Sequence, residues 1–497
     1  MHRRLSRSTV PASALLSAAP PTATGIVHLG LGNFHRAHQA VYTASAAAGE
    51  SHPWGILGVA SSSTTTARVM EEQDLLYSVV TISPDDERVS VPAVHTGVLV
   101  AAHDPGAVVG AIGDAGTRIV TITVSENGYH YSAETGSLDL DSEAIRHDLA
   151  HPAEPRTTIG HIAYGLALRA DTHGAPVTVV SCDNLLANGR RTERLVRDFI
   201  AAIPAARGER TLEWLDAHAS FPNSMVDRIV PASTDDHRAA AERQLGVRDA
   251  ATVGAEPFSA WVLEDRFLAG RPAWERAGSV FTDDVEPYEM MKLRLLNGTH
   301  SLIAYLGALD GRATIPDAVA QPHIADAASA VLRGDYLPTV KVPDEVDVDA
   351  YTRDLFHRWS NTALGHRTSQ VGSDGSVKLG QRVPAPVFHH LAGGDLPHHL
   401  ALTVAAYLCC VAPPPGFDPG PHARAMVDPA ARQLGELWAN TTSISRFVRS
   451  AFESGRLFPR ELADREPFVD RVAALADLIV RHGPAEACVD ADRATRN

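Results

Sequence analysis

The stretch Gly25-Ile-Val-His-Leu-Gly30-Leu-Gly32-Asn33-Phe34-His35-Arg-Ala-His-Gln-Ala40 passes from a short apolar run, through two closely spaced glycines, into a helical pattern. That order predicts strand, tight turn and helix. Gly30 would form the turn, and the backbone of Gly32 would approach a pyrophosphate at a helix N-terminus. His35 stands where the usual dinucleotide fingerprint carries its third glycine. Two glycines also suit a plain strand-to-helix turn, so the motif draws its weight from its surroundings.

Those surroundings alternate short β-rich runs with longer helical ones, which predicts an α/β domain built on a parallel sheet. Candidate strands are 25–29, 54–59, 76–81, 118–124 and 177–181, with helices at 37–48, 65–72, 105–114 and 159–169. Beyond residue 286 helical patterns take over, at 290–309, 324–332, 348–359, 398–411, 428–437 and 468–481. The chain therefore divides into a disordered N-terminal tail (1–24), an α/β domain (25–286) and a mostly α-helical domain (287–497). No internal repeat is present.

The 497 residues are enough for two domains with sizeable cores. Acidic residues outnumber basic ones 59 to 44, for a formal charge of −15, which argues against a nucleic-acid partner. Four cysteines without CxxC spacing suggest neither a zinc site nor a disulfide framework, and fit a cytoplasmic setting. The longest apolar run, 400–412, is too short for a membrane span and reads as a buried helix.

In dinucleotide folds an acid after the second strand usually holds the ribose. Here that place reads Ala60-Ser-Ser-Ser-Thr-Thr-Thr-Ala-Arg68, without a carboxylate. Hydroxyls and Arg68 could take a 2′-phosphate, and Arg68 could equally be a solvated helix residue. NAD and NADP both stay open.

The second chemical signal is Pro287-Tyr-Glu289-Met-Met-Lys292-Leu-Arg294-Leu-Leu-Asn297-Gly298-Thr-His300-Ser-Leu-Ile-Ala-Tyr305. Its apolar content says core helix, yet it carries Glu289, Lys292, Asn297 and His300. At roughly 100° per residue, Lys292, Asn297 and His300 lie within about 140° around the axis. Lysine and histidine on an apolar helix are costly unless paired or working in a cleft. For one residue, a salt bridge or a packed imidazole is the simpler reading; for four beside Gly298, a site is favoured. A lysine base needs a lowered pKa, which burial and positive neighbours such as Arg294 would supply and Glu289 would oppose.

Taken with further blocks, these residues resemble the polyol-specific long-chain dehydrogenases, the mannitol dehydrogenase family. The blocks are Thr123-Val-Ser-Glu126-Asn-Gly-Tyr129, Ser181-Cys-Asp-Asn-Leu-Leu-Ala-Asn188-Gly189, Phe221-Pro-Asn-Ser-Met-Val-Asp227-Arg228 and Glu256-Pro-Phe-Ser-Ala-Trp261. The resemblance implies a Rossmann-like cofactor domain, a helical domain with the site between them, and a metal-independent secondary alcohol dehydrogenase using NAD, with NADP not excluded. It casts Lys292 as general base, Asn188 and Asn297 as the oxyanion pair, and Glu289 as the relay of the base's proton to solvent. His300 and Asp227 would bind substrate; Gly30, Gly32, Asn33, Phe34 and Glu126 would bind cofactor. Asp227 beside Arg228 also reads as an ion pair, and Asn188-Gly189 as a turn.

The block Asn361-Thr-Ala-Leu-Gly-His366-Arg367-Thr-Ser-Gln370-Val-Gly-Ser-Asp374-Gly-Ser-Val-Lys378-Leu-Gly-Gln-Arg382 resembles the fructuronate-reducing branch, in which Gln stands where the mannitol branch has Arg. Arg367, Lys378 and Arg382 are then candidates to meet a sugar carboxylate. The expected reaction interconverts D-fructuronate and D-mannonate, with D-mannitol/D-fructose or D-arabinitol oxidation as the alternative. A catalytically silent nucleotide- or sugar-binding protein is the non-enzymatic rival, against which the intact polar set speaks.

Overall fold

The computed structural model describes residues 3–17, 19–47, 53–84, 86–132 and 135–496, with the side chain of Glu126 outside the description. Contacts divide the chain into two units, Met1–Glu286 and Pro287–Asn497.

The first unit is built on six parallel strands. Across the sheet they run Ala219–Ser220, Val177–Ser181, Ile119–Ile122, Thr24–Leu29, Gly55–Ala60, His95–Val100. In chain order this is 6-5-4-1-2-3, the doubly wound arrangement whose order reverses beside the first strand. Side chains alternate across the sheet. Val27, Leu29, Val120 and Val179 pack into one core, and Ile26, Ile56, Ile119 and Val180 into the other. Continuous burial on both faces accounts for the near-unbroken apolar runs.

The run 76–81 does not join this sheet. Val79–Ile82 pairs antiparallel with Glu87–Ser90 and parallel with Val253–Ala255 in a separate three-stranded sheet. Ser83 and Pro84, ahead of Asp86, supply turn chemistry that folds the run into a hairpin rather than a crossover, and Ser83 N–H donates to the Asp86 carbonyl. His95–Val100 takes the edge of the main sheet instead.

The N-terminal segment is not a disordered tail. Leu5 is wholly buried among Leu76, Val80, Val91, Ala240 and Leu245. Leu5 N–H donates to Arg248 O, Arg248 N–H to Arg3 O, and Val91 N–H to Ala14 O. Its few apolar residues have partners that are distant in sequence, which no local pattern reveals.

The second unit is a helical assembly around His398–Val411, a helix buried from His399 to Cys410. It packs against Thr299–Leu309 and Glu466–His482. Among the described residues no helix is long and apolar enough to cross a membrane.

The polar helix is continuous but not uniform. Glu286–Met291 is α, Lys292–Gly298 is π, and Thr299–Leu309 is α again. A second π segment, Val331–Tyr336, packs against the first.

Candidate functional site

In the first unit the glycine turn lies at the carboxyl end of the first strand, beside the fourth, where the strand order reverses. Gly30 has φ +109°, and a Cβ there would sit 1.9 Å from the Thr123 carbonyl oxygen. Gly32 is exposed, with nothing nearer than 3.8 Å to a Cβ, so a ligand's phosphate could approach its backbone. The N–H groups of Gly30 and Gly32 donate to the Val59 and Gly30 carbonyls at 2.9 and 2.6 Å, so what suits a dinucleotide pyrophosphate here is the open approach and not these two donors. The helix that follows is only Asn33–Ala37, resuming after His38 as Gln39–Ala46, which limits the help of a helix dipole.

Asn33 and Phe34 are turned toward the fold. Asn33 Oδ1 accepts from Arg36 at 2.7 Å, its Nδ2 donates to Ser233 Oγ at 3.4 Å, and Phe34 stacks on His38. Glu126 opens the short turn Glu126–Tyr129, and its side chain lies outside the described residues. His35, at the position of the missing third glycine, is wholly buried. It stacks on His28 at 3.4 Å and sits 3.2 Å, Nε2 to Nε2, from His95. Burial pushes His28 and His95 down to about 3, so both are neutral. His28 joins its ring to the Gly30 carbonyl and Thr123 Oγ1, bracing the turn from beneath.

Arg68 does not reach for a phosphate; it is exposed and ion-paired with Glu72 at 2.5 Å, one helical turn on. Asn188 also departs from expectation. Its side chain is wholly buried, and Nδ2 faces the carbonyls of Ser181, Asp183 and Ser224 at 2.8–3.1 Å. Its Oδ1 accepts from Ser224 N–H at 2.9 Å. Both amide hydrogens are thus taken by backbone, and the residue works as a staple between chain segments rather than as a free oxyanion donor. Gly189 follows because a Cβ there would lie 2.3 Å from the Pro222 carbonyl oxygen. Asp227 ends the strand Ser224–Asp227 and is buried, while the neighbouring Arg228 guanidinium serves the Glu256 and Ala37 carbonyls.

In the second unit Glu289, Lys292, Asn297 and His300 lie on one helix, with Glu289 buried and the other three partly so. The 100° count fails between Lys292 and Asn297, because the π segment spans both. An α-helix would set them about 140° apart. The i→i+5 bonding of a π-helix widens the turn to roughly four and a half residues and brings i and i+5 within about 50°. Lys292 and Asn297 thus share a face. Arg294 points elsewhere, donating to the Thr339 carbonyl and, at 3.0 Å, to Thr339 Oγ1, so it is not the charge beside the lysine. What fills the space at Gly298 is Tyr336, whose ring would lie 2.4 Å from an added Cβ.

His300 Nε2 is buried without a hydrogen-bond partner. Burial first, then the charges of His366, Arg382, Arg358 and Lys378, hold this imidazole well below its ordinary pKa. Arg358, Lys378 and Arg382 are the cations that act on it. Its ring lies 5.9 Å from His366 and 6.3 Å from Trp359.

Of the three cations expected to meet a carboxylate, the structure separates the roles. Arg367 is exposed at the start of Thr368–Gly372. Lys378 Nζ donates to the Ser373 carbonyl at 2.7 Å and the Val371 carbonyl at 3.3 Å. Arg382 is buried, its Nη1 donating to the Asn297 carbonyl at 3.0 Å and Ser301 Oγ at 2.6 Å. Sequence reasoning missed Arg358 and His366 near His300. For Arg358 the signal was its place between Leu355 and Trp359, on the buried stripe of Val348–Trp359.

The mannitol dehydrogenase Rossmann-domain family matches residues 24–276, and the mannitol dehydrogenase C-terminal-domain family residues 284–479. D-mannonate oxidoreductase of Escherichia coli K12 is 37% identical over 94% of this chain and 95% of its own. Mannitol 2-dehydrogenase of Cereibacter sphaeroides is 39% identical over 77% of this chain and 80% of its own. The Pseudomonas fluorescens mannitol 2-dehydrogenase, solved as a ternary complex with NAD and D-mannitol, superposes with a TM-score of 0.83 at 32% identity, covering 99% of both chains.

Proposed function

Because this chain belongs to the mannitol dehydrogenase family of oxidoreductases, we propose that it is an NAD-dependent, metal-independent secondary alcohol dehydrogenase interconverting D-fructuronate and D-mannonate. The observation that favours the sugar-acid reading is the group of cations about His300. Arg358, Lys378 and Arg382 all act on its buried imidazole, whose Nε2 has no hydrogen-bond partner. An anion brought among these cations would be held by charge-assisted hydrogen bonds, and the acid terminus of fructuronate is such an anion.

A bound nicotinamide dinucleotide would supply the hydride acceptor that oxidation of the carbinol carbon requires. In that direction Lys292, unprotonated, takes the hydroxyl proton, and Glu289 passes it toward solvent. In reduction the protonated lysine returns it. Asn297 steadies the developing oxyanion through its amide. The neutral His300 donates one hydrogen bond to a substrate oxygen, and Asp227 accepts one from a hydroxyl. The open backbone at Gly32 would let the pyrophosphate lie against the turn.

The test is absorbance-monitored reduction of D-fructuronate and D-fructose with NADH and with NADPH. A charge-assisted contact of about 1.5–3 kcal/mol predicts roughly ten- to a hundredfold higher kcat/KM for fructuronate. NADH should be preferred, with measurable use of NADPH because no acid follows the second strand. Faster turnover of fructose would transfer the assignment to mannitol 2-dehydrogenase activity, and a strong NADPH preference would overturn the cofactor.

A further inference from the structure

The π form of Lys292–Gly298 needs an agent that holds it, since π-helical stretches are rare, occur mostly as single-turn bulges inside α-helices, and are frequent at functional sites. Arg382 comes from a helix, Gly375–Arg382, some 85 residues farther along the chain. Its Nη1 donates to the backbone carbonyl of Asn297, inside the π segment, and to Ser301 Oγ, just beyond it. Ser301 Oγ donates in turn to the same Asn297 carbonyl at 3.2 Å. The three groups close a triangle across the π-to-α junction. No carboxylate pairs with Arg382 among the described residues, and its Nε is buried without a partner. A buried guanidinium left without a counter-ion is expensive. Packing alone would be served better by an apolar side chain of the same length.

We propose that Arg382 is a positioning residue for catalysis: by taking the Asn297 carbonyl it keeps Lys292–Gly298 in the π form, and so keeps the Asn297 amide and the Lys292 amine on one face. The proposal rests on the reading of Lys292 and Asn297 as the reacting groups. It differs from a carboxylate-binding role for Arg382, which would act on the charged substrate alone. Relaxation of the segment to α would swing Asn297 away from Lys292, and misplacement on that scale costs about a hundredfold.

The experiment compares wild type, Arg382→Met, Arg382→Lys, Ser301→Ala, Asn297→Ala and the double variant Arg382→Met/Asn297→Ala, each with NADH and with D-fructuronate or D-fructose. Arg382→Met should lower kcat by about 10- to 100-fold on both substrates while leaving the Kd for NADH unchanged. Arg382→Lys should restore much of that loss, and Ser301→Ala should lower kcat by a smaller factor. In the Asn297→Ala background, Arg382→Met should cost little more, because both act through one group. If Arg382→Met does not fold, the Lys and Ser301→Ala variants carry the same comparison. Unchanged kcat in the folded Arg382 variants, or a loss confined to KM for fructuronate, overturns the positioning role. Full activity in Asn297→Ala instead overturns the catalytic reading beneath it, so the two failures are told apart.

Discussion

Replacing Lys292 by alanine is expected to lower kcat by about 10²- to 10⁴-fold, the usual contribution of a positioned acid–base group. NADH should bind the variant as it binds wild type, and the thermal transition should move little. Lys292 is only partly buried, so its removal leaves no closed cavity. The lysine acts on the substrate's proton, so its loss should fall on kcat and kcat/KM alike. Stopped-flow turnover with D-fructuronate, together with fluorescence titration of NADH, checks both halves. Near-normal turnover at neutral pH would remove Lys292 from the reaction.

Gly30→Ala is the substitution expected to harm the first unit most. At φ +109° any side chain is strained, and its Cβ would meet the Thr123 carbonyl at 1.9 Å for oxygen and 2.6 Å for carbon. Neither atom can step aside without moving the neighbouring strand, where Thr123 N–H also holds the Leu29 carbonyl. A cost of about 3 kcal/mol or more follows, with NADH binding lost as the turn deforms. Gly32→Ala provides the contrast. Its φ of −92° suits any residue, and its surroundings are open. That variant should fold normally, and a weakened NADH titration would then report close approach of the cofactor itself. Gly30→Ala melting and binding NADH as wild type would contradict the geometry of the turn.

The glycine turn was legible because its logic is local: two glycines after an apolar run are needed whatever the rest of the chain does. The polar set on an apolar helix was legible for the same reason. Its spatial arrangement was not, since the residues that touch the π segment, Arg382, Tyr336 and Thr339, lie 38 or more residues away. The third strand was misassigned because 76–81 and His95–Val100 are both β-rich, and only pairing partners choose between them. The docked N-terminus and the stapled Asn188 amide escaped by the same route. Leu5 answers to Arg248 and Asn188 to Ser224, and contacts of such separation leave no period in the sequence. The cation cluster around His300 was half visible: Lys378 and Arg382 came from one sequence block, while Arg358 came from the helix before it.

The central claim is that the lysine on the π segment exchanges the proton of a sugar-acid hydroxyl. It is tested most directly by the pH dependence of kcat/KM for D-mannonate oxidation with NAD, measured on wild type and on Lys292→Ala. Oxidation needs the unprotonated amine, so wild-type kcat/KM should fall tenfold per pH unit on the acid side of the lysine's titration. Lys292→Ala should show a low, flat profile through that range. An acid limb of the same slope and midpoint in both proteins would contradict the account, because the titrating base would then be another group.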